Sequence, residues 1–225
     1  MPIILHIDTA TEFASVCLSD DTKILSFEAN QEQKNHASFL QPAIKKMMLT
    51  SKIDLKDIDA VSVTNGPGSY TGLRVGLASA KGLCFALNKP LITLSTLEIM
   101  ATSSIEENNQ SEFLYCPMID ARRMEVFTAL YTKELILVKD AQALILDENS
   151  FADYLKSHTI VFSGSGAKKA KTIINSMLAK FSEVQHSAKN MITLSLHKFS
   201  ENNFSDIAYA SPNYGKEFYT IPPKK

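Results

Sequence analysis

The chain has 225 residues, is 45% hydrophobic and carries a formal net charge of −1. That is enough apolar material for one large core or two small ones, which excludes a disordered chain. The near-zero charge, with no clustered basic stripe, argues against a dedicated nucleic-acid surface. The short "KKAK" at 168–171 and the last two lysines read as a solvated helix face and a chain end.

The first sixty residues read as strands followed by a helix. "IILHID" (3–8) is a short apolar run, "FASVCLS" (13–19) alternates loosely, and "KILSFEA" (23–29) follows a "DD" turn. Links this short predict an antiparallel meander. In "HASFLQPAIKKMML", Leu40, Ala43, Ile44, Met47 and Met48 recur at helical spacing, with Pro42 expected to kink the helix or mark a late start. "AVSVT" (60–64) is a strand, "TGLRVGLASAKGLCFAL" (71–87) a helix and "PLITLS" (90–95) a strand. Three antiparallel strands, helix, strand, helix, strand is not the Rossmann order. It matches one half of the actin-like ATPase fold, an analogy that carries no function by itself.

The second half reads as a worn copy of the first. "FLYCPMID" (113–120) and "EVFTALY" (125–131) resemble meander strands, and 135–146 is less regular. Helices are predicted at 150–158, 167–178 and 193–202, and a strand entering a loop at 159–166. The polar "TSSIEENNQSE" (102–112) is the natural boundary, giving domains 1–103 and 104–225, with the C-terminal tail expected to pack back on the first domain.

Cys17, Cys84 and Cys116 lie far apart in apolar runs with no CxxC, as buried thiols in a reducing compartment do. The N-terminus has no basic start and no cleavage site, and no apolar run approaches the ~20 residues of a membrane span. The expected location is the cytoplasm.

Three loops hold candidate chemistry. Asp8 ends a strand and is followed by Thr9 and Thr11. In an actin-like ATPase this is the first phosphate loop, where an acid orients Mg2+ or water; in an ordinary protein it is a capped turn. The stretch "NGPGSYTGLRVGLASAKGL" (65–83) holds five of the eight glycines. Gly66, Gly68 and Gly72 let the backbone approach a neighbour closely, and Ser69 or Thr71 can cap the helix that follows. Within that helix Gly76, Ala78, Ser79, Ala80 and Gly82 leave a thin surface. An interior glycine costs ~1 kcal/mol against alanine, so close contact with another backbone is expected, inside the domain or across an interface. It is not a Walker A motif. Gly164 and Gly166 in "FSGSGAKK" sit between a strand and a helix, either as an adenosine loop or as a plain turn. The five histidines show no metal-ligand spacing, and no GxSxG elbow is present.

Taken together, "ILHIDTAT", "VTNGPGSYTGLRVGLASAKGL", "LITLSTLEIMA", "IDARRMEVFTALY", "FSGSGA" and "PNYGKEF" resemble the TsaB (YeaZ) family in order and spacing. The resemblance implies an α/β, actin-like ATPase (ASKHA, ribonuclease H-like) fold of two mixed-sheet domains, the second degenerate. It implies a part in making threonylcarbamoyladenosine on tRNAs reading codons that begin with A. It also implies a heterodimer with the catalytic paralogue TsaD, a further complex with the ATPase TsaE, and tRNA contacted at most indirectly. TsaD-like proteins carry a His-x-x-x-His metal pair where this chain has Thr96 and Met100, which are poor ligands for such an ion. The glycine-rich second phosphate loop is replaced by Asp120, Arg122 and Arg123. The expectation is a non-catalytic subunit with no metal and no cofactor of its own, any nucleotide lying at the partner junction. In the family, helices equivalent to 36–50 and 71–87 form the partner interface. That assigns Leu40, Ile44, Met47, Met48, Leu73, Gly76, Ala78, Ser79, Ala80 and Gly82 to docking, with a homodimer through the same patch when the partner is missing. The alternatives are an active actin-like ATPase or small-molecule kinase using Asp8 and the loops at 66–72 and 163–166, and a metallopeptidase, which the missing histidine pair disfavours.

Overall fold

The computed structural model describes residues 1–30 and 35–216. The first strand, β1 (Ile3–Asp8), is buried along nearly its whole length and becomes the centre of a sheet. It pairs antiparallel with β2 (Ser15–Asp20) and parallel with β4 (Ala60–Gly66). The edge strand β3 (Lys23–Ala29) follows a tight turn with Asp21 at φ 52°, and β5 (Leu91–Ser95) lies beside β4, giving the order β3-β2-β1-β4-β5. Parallel neighbours need crossovers, supplied by helices α1 (His36–Ser51) and α2 (Tyr70–Leu87). Helix α1 is continuous through Pro42, which sits on its exposed side.

The second sheet holds β6 (Phe113–Asp120), β7 (Glu125–Tyr131), β8 (Leu137–Ile145), β9 (Thr159–Ser163) and β10 (Ala179–Ser182), in the order β10-β9-β6-β7-β8. Counted from its other edge, it repeats the first sheet: a three-stranded meander, then two parallel strands. This is the actin-like architecture of two mixed sheets, with the second copy worn. Its first crossover is a short 3-10 turn (Tyr154–Lys156) rather than the helix predicted at 150–158, because Phe151 takes a left-handed φ of 66° that a helix does not admit. The helix predicted at 167–178 is α4 (Ala167–Ile173), ended by the extended Ile174, and the edge strand β10 follows it.

Helix α3 (Thr96–Asn108) joins the sheets and is buried on almost every side. Ile99 packs with Ile92 and Leu94 of the first half. Leu97, Met100 and Ala101 pack with Tyr115, Ile119 and Tyr131 of the second. The polar stretch expected as the domain boundary is the second half of this helix and a turn, so a division at 103/104 falls inside continuous helix. In this stretch Thr102 Oγ1 donates to the Glu98 carbonyl (3.0 Å), and Ser104 Oγ donates to the Met100 carbonyl (3.1 Å) and lies 2.8 Å from Ser163 Oγ.

The chain then returns to the first half. The Ala188 amide donates to Ser15 Oγ (2.9 Å), α5 (Ile192–Ser200) lies against β5, and Ser205 bridges Leu91. The three cysteines are free and buried. Among the described residues no helix is long and apolar enough to cross a membrane. Of "PNYGKEF", Glu217 and Phe218 lie outside the described residues, as do the last two lysines.

Candidate functional site

The loop after β1 and the glycine loop after β4 meet, and they fill one another. Asp8 is 1% exposed, and its Oδ1 accepts the Ala10 amide (3.2 Å). Thr9 Oγ1 donates to the Gly72 carbonyl (2.8 Å), the Ser69 amide donates to Ala10 (2.7 Å), and His36 Nε2 lies 2.8 Å from the Thr11 carbonyl. A Cβ on Gly68 would stand 2.2 Å from the Ala10 carbonyl oxygen, one on Gly72 2.0 Å from that of Thr9, and one on Gly76 2.2 Å from Thr9 Oγ1. The close approach expected of these glycines is therefore real, and the neighbour is the chain's own first loop. Ser69 caps α2 by accepting the Gly72 amide (3.3 Å), while Thr71 stays exposed.

Gly164 and Gly166 lie in the other half, and Gly164 lines a cavity between the halves that Thr11 of the first loop also lines. At Gly164 (φ 87°) a Cβ would meet the Met100 methyl at 2.2 Å and the Met118 carbonyl at 2.6 Å; at Gly166 it would meet Val126 and Met118. Met100 thus fills space beside the second loop. Thr96 is fully buried, and its hydroxyl oxygen has no hydrogen-bond partner among the described residues. A thioether and a lone hydroxyl are poor ligands for a hard or borderline catalytic ion. Among the described residues no group of three His, Cys, Asp or Glu is placed to hold a metal. The turn between β6 and β7 carries Arg122 and Arg123 at φ 71° and 48°, both exposed, with the Arg122 amide donating to Asp120 Oδ1 (2.6 Å). Asp120 is held below the usual carboxylate range: burial pushes it up, but the Lys169 ammonium at 2.7 Å and that amide outweigh it.

Between the halves a cavity of about 320 Å3 is lined by Phe13, Met100, Ser165, Lys168, Lys171 and His186 among others. His186, on the segment leading back to the first half, sets Nε2 3.3 Å from Asp8 Oδ2. That is ion-pair range, and Oδ2 makes no hydrogen bond among the described residues. No local spacing links the two residues, and sequence reasoning treated His186 as an isolated histidine.

On the outer side, α1 and α2 lie next to each other, with Gln41 Nε2 donating to Ser79 Oγ (3.1 Å). The docking row expected on α1 packs inward. Leu40, Ile44, Met47 and Met48 lie in the core of the first half, because α1 turns its apolar stripe onto β2 and β3, while Ile44 and Met48 also line a surface groove beside Leu49 and Leu83. Leu73, Gly76 and Ala80 of α2 are buried as well, facing the sheet and Thr9. Of the residues expected at an interface, Ala78 and Gly82 are exposed and Ser79 partly so. A Cβ on Gly82 would have nothing within 4 Å among the described residues. The large apolar groups on this face are ones the sequence reading did not single out: Phe85 (83% exposed) and Leu49 (71%). Phe85 follows Ala78 and Gly82 at helical spacing, which was the available signal.

A family model described as TsaD, tRNA N6-adenosine threonylcarbamoyltransferase, matches residues 24–217. Among curated proteins, tRNA threonylcarbamoyladenosine biosynthesis protein TsaB of Escherichia coli is 39% identical over 132 residues, 58% of this chain and 55% of that protein. The protein of the same name from Buchnera aphidicola subsp. Schizaphis graminum is 28% identical over 205 residues, 89% of this chain and 95% of that one. The chain belongs to the TsaB (YeaZ) branch of this family. The solved structure of YeaZ from Pseudomonas aeruginosa superposes with a TM-score of 0.83 at 23% identity, covering 95% of this chain and all of that one, so the two share the fold described above. The E. coli match spans little more than half the length of that TsaB protein.

Proposed function

We propose that this chain is the non-catalytic subunit of tRNA threonylcarbamoyladenosine biosynthesis. It docks through the exposed side of α1 and α2 onto the catalytic paralogue TsaD and activates it, and TsaE joins that pair. The observation carrying this reading is Gly82. Gly72 and Gly76 are explained by the loop packed on them, whereas Gly82 lowers helix stability by ~1 kcal/mol and a Cβ there would meet nothing within 4 Å among the described residues. A helix position kept thin with nothing of its own against it suits a helix approaching from outside, and the exposed Phe85 and Leu49 supply the apolar area. A standard interface buries ~800 Å2 per partner. The paralogue belongs to the family whose model matches this chain, which supports an equivalent helix pair on its side. The same self-complementarity supports a homodimer when the paralogue is missing. The work is cytoplasmic, tRNA is touched at most indirectly, and no cofactor is assigned to this chain. The halves 1–103 and 104–225 act as two repeats on a shared helix.

The test is Ala78→Glu, a charge on the exposed stripe. TsaD co-purification and tRNA modification reconstituted with TsaD, TsaE and the threonylcarbamoyl-AMP synthase should both be lost while the circular dichroism and melting curve of the variant are retained. Undiminished TsaD binding would refute the placement. Tight ATP·Mg2+ binding with turnover by the isolated chain would instead favour an actin-like ATPase or kinase.

A further inference from the structure

Residues 205–216 run back along α2 and then leave it for the other half. Lys81 Nζ donates to the carbonyls of Ala208 (3.2 Å) and Ala210 (3.0 Å), which holds this segment beside the helix. The Asn213 amide donates to the Asn65 carbonyl (2.6 Å). The Asn213 carbonyl oxygen occupies the space a side chain at Gly66 would need, 1.9 Å from an ideal Cβ, and Gly66 has φ 119°. Tyr214 stacks on Tyr70 with ring centres 5.0 Å apart. Its hydroxyl accepts from Arg74 Nε (2.9 Å), and the Arg74 guanidinium lies 4.1 Å over the Tyr70 ring. One residue on, Gly215 lies against Phe127 and Pro67, and Lys216 pairs with Glu125. Phe127 and Glu125 belong to β7 of the second half.

We infer that residues 211–216 are a releasable strap that couples the first turn of α2 to the relative placement of the two halves. The fastening spans both: Asn65, Gly66, Tyr70 and Arg74 on one side, Phe127 and Glu125 on the other. It is releasable because, beside the backbone bond at Asn65 and the seat at Gly66, its hold among the described residues is a partly exposed ring stack, an exposed guanidinium bond and a surface ion pair, and residues 211–216 are exposed or half-buried. Arg74 is exposed one turn before Ala78 on the same stripe, so a partner seated there meets the strap's own anchor. Linkage is reciprocal: if seating a partner shifts Arg74, the strap and the halves respond, and loosening the strap changes partner affinity by the same factor. The partner side of this coupling rests on the docking reading above. The clamp between the halves does not.

The experiment uses the full chain with spin labels on Lys56→Cys and Met177→Cys, exposed positions in the first and second halves. Pulsed dipolar distances are compared for the otherwise wild-type chain, Tyr214→Phe, and Tyr214→Ala/Lys216→Ala. The double variant should at least double the width of the distance distribution and change TsaD affinity at least fivefold, with the melting curve still cooperative. Tyr214→Phe keeps the stack, loses the Arg74 bond, and should fall between. A distribution identical in all three chains would overturn the clamp. If Ala78→Glu abolishes TsaD binding but the double variant binds normally, the coupling is overturned and the docking reading survives. If Ala78→Glu binds TsaD normally, the docking reading falls, and the label distances still judge the clamp.

Discussion

Gly76 and Gly82 stand six residues apart on one helix, and alanine should have opposite effects at the two. At Gly76 the new Cβ would lie 2.2 Å from Thr9 Oγ1, more than an ångström inside ordinary contact of ~3.5 Å. Thr9 is fully buried and its hydroxyl donates to the Gly72 carbonyl at 2.8 Å, so it cannot turn away without losing that bond. The lost bond is worth ~1 kcal/mol net and overpacking adds ~1–3 kcal/mol. The helix gains ~1 kcal/mol from alanine. Gly76→Ala should therefore destabilise the chain by about 1–3 kcal/mol. Gly82→Ala meets nothing among the described residues and should stabilise it by about 0.5–1 kcal/mol. Urea unfolding of both variants at pH 7.5 reads the difference directly. In a Thr9→Ala background the Gly76→Ala penalty should shrink by at least ~1 kcal/mol, since the atom it strikes is gone. Equal effects of the two alanines would refute the account of both glycines. If docking uses this face, Gly82→Ala should also weaken TsaD binding while making the free chain more stable.

Other outcomes follow from burial and charge. Leu40→Ala or Met47→Ala removes a core side chain and should lower stability by about 2–5 kcal/mol, leaving the TsaD affinity of the folded fraction unchanged in titration calorimetry. Burial depresses the His6 imidazole to about 3, between Ser195 Oγ and Ser19 Oγ. The unfolded chain therefore binds the extra proton first, and stability present above pH ~6.5 is lost towards pH 3, by up to ~1.4 kcal/mol per pH unit. Urea midpoints at pH 7.5, 6.5 and 5.5 should show that fall, and His6→Gln should flatten the contribution. Burial pushes the thiols of Cys17 and Cys116 up to about 12 and that of Cys84 to about 11. A disulfide reagent at pH 8 should leave the native chain unmodified and titrate three thiols per chain in denaturant.

The strand order was legible because the first half keeps its signals local: short apolar runs, a two-residue turn, and helices long enough to show their period. Where the second half departs, the cause is backbone conformation that residue type conceals, as at the left-handed Phe151. The apolar row at Leu40, Ile44, Met47 and Met48 was legible as one face of a helix but not as a face that packs inward. Periodicity marks a stripe but not which body it meets, and here β2 and β3 claim it. The glycine stretch was legible as a site of close backbone approach. That the approaching atoms belong to Thr9 and Ala10 depends on pairing β1 with β4, some sixty residues apart in the chain. His186 beside Asp8, and Tyr214 on Tyr70, are longer-range still and left no trace in spacing.

Helix α3 has a consequence for how the molecule comes apart. Each sheet covers one side of it, so neither half can lose its fold without stripping a face from the helix the other half needs. The duplication visible in the strand orders should therefore not appear as two steps in calorimetry. One endotherm is expected, with calorimetric and van't Hoff enthalpies equal, and the amides of α3 should be among the last to exchange with solvent deuterium.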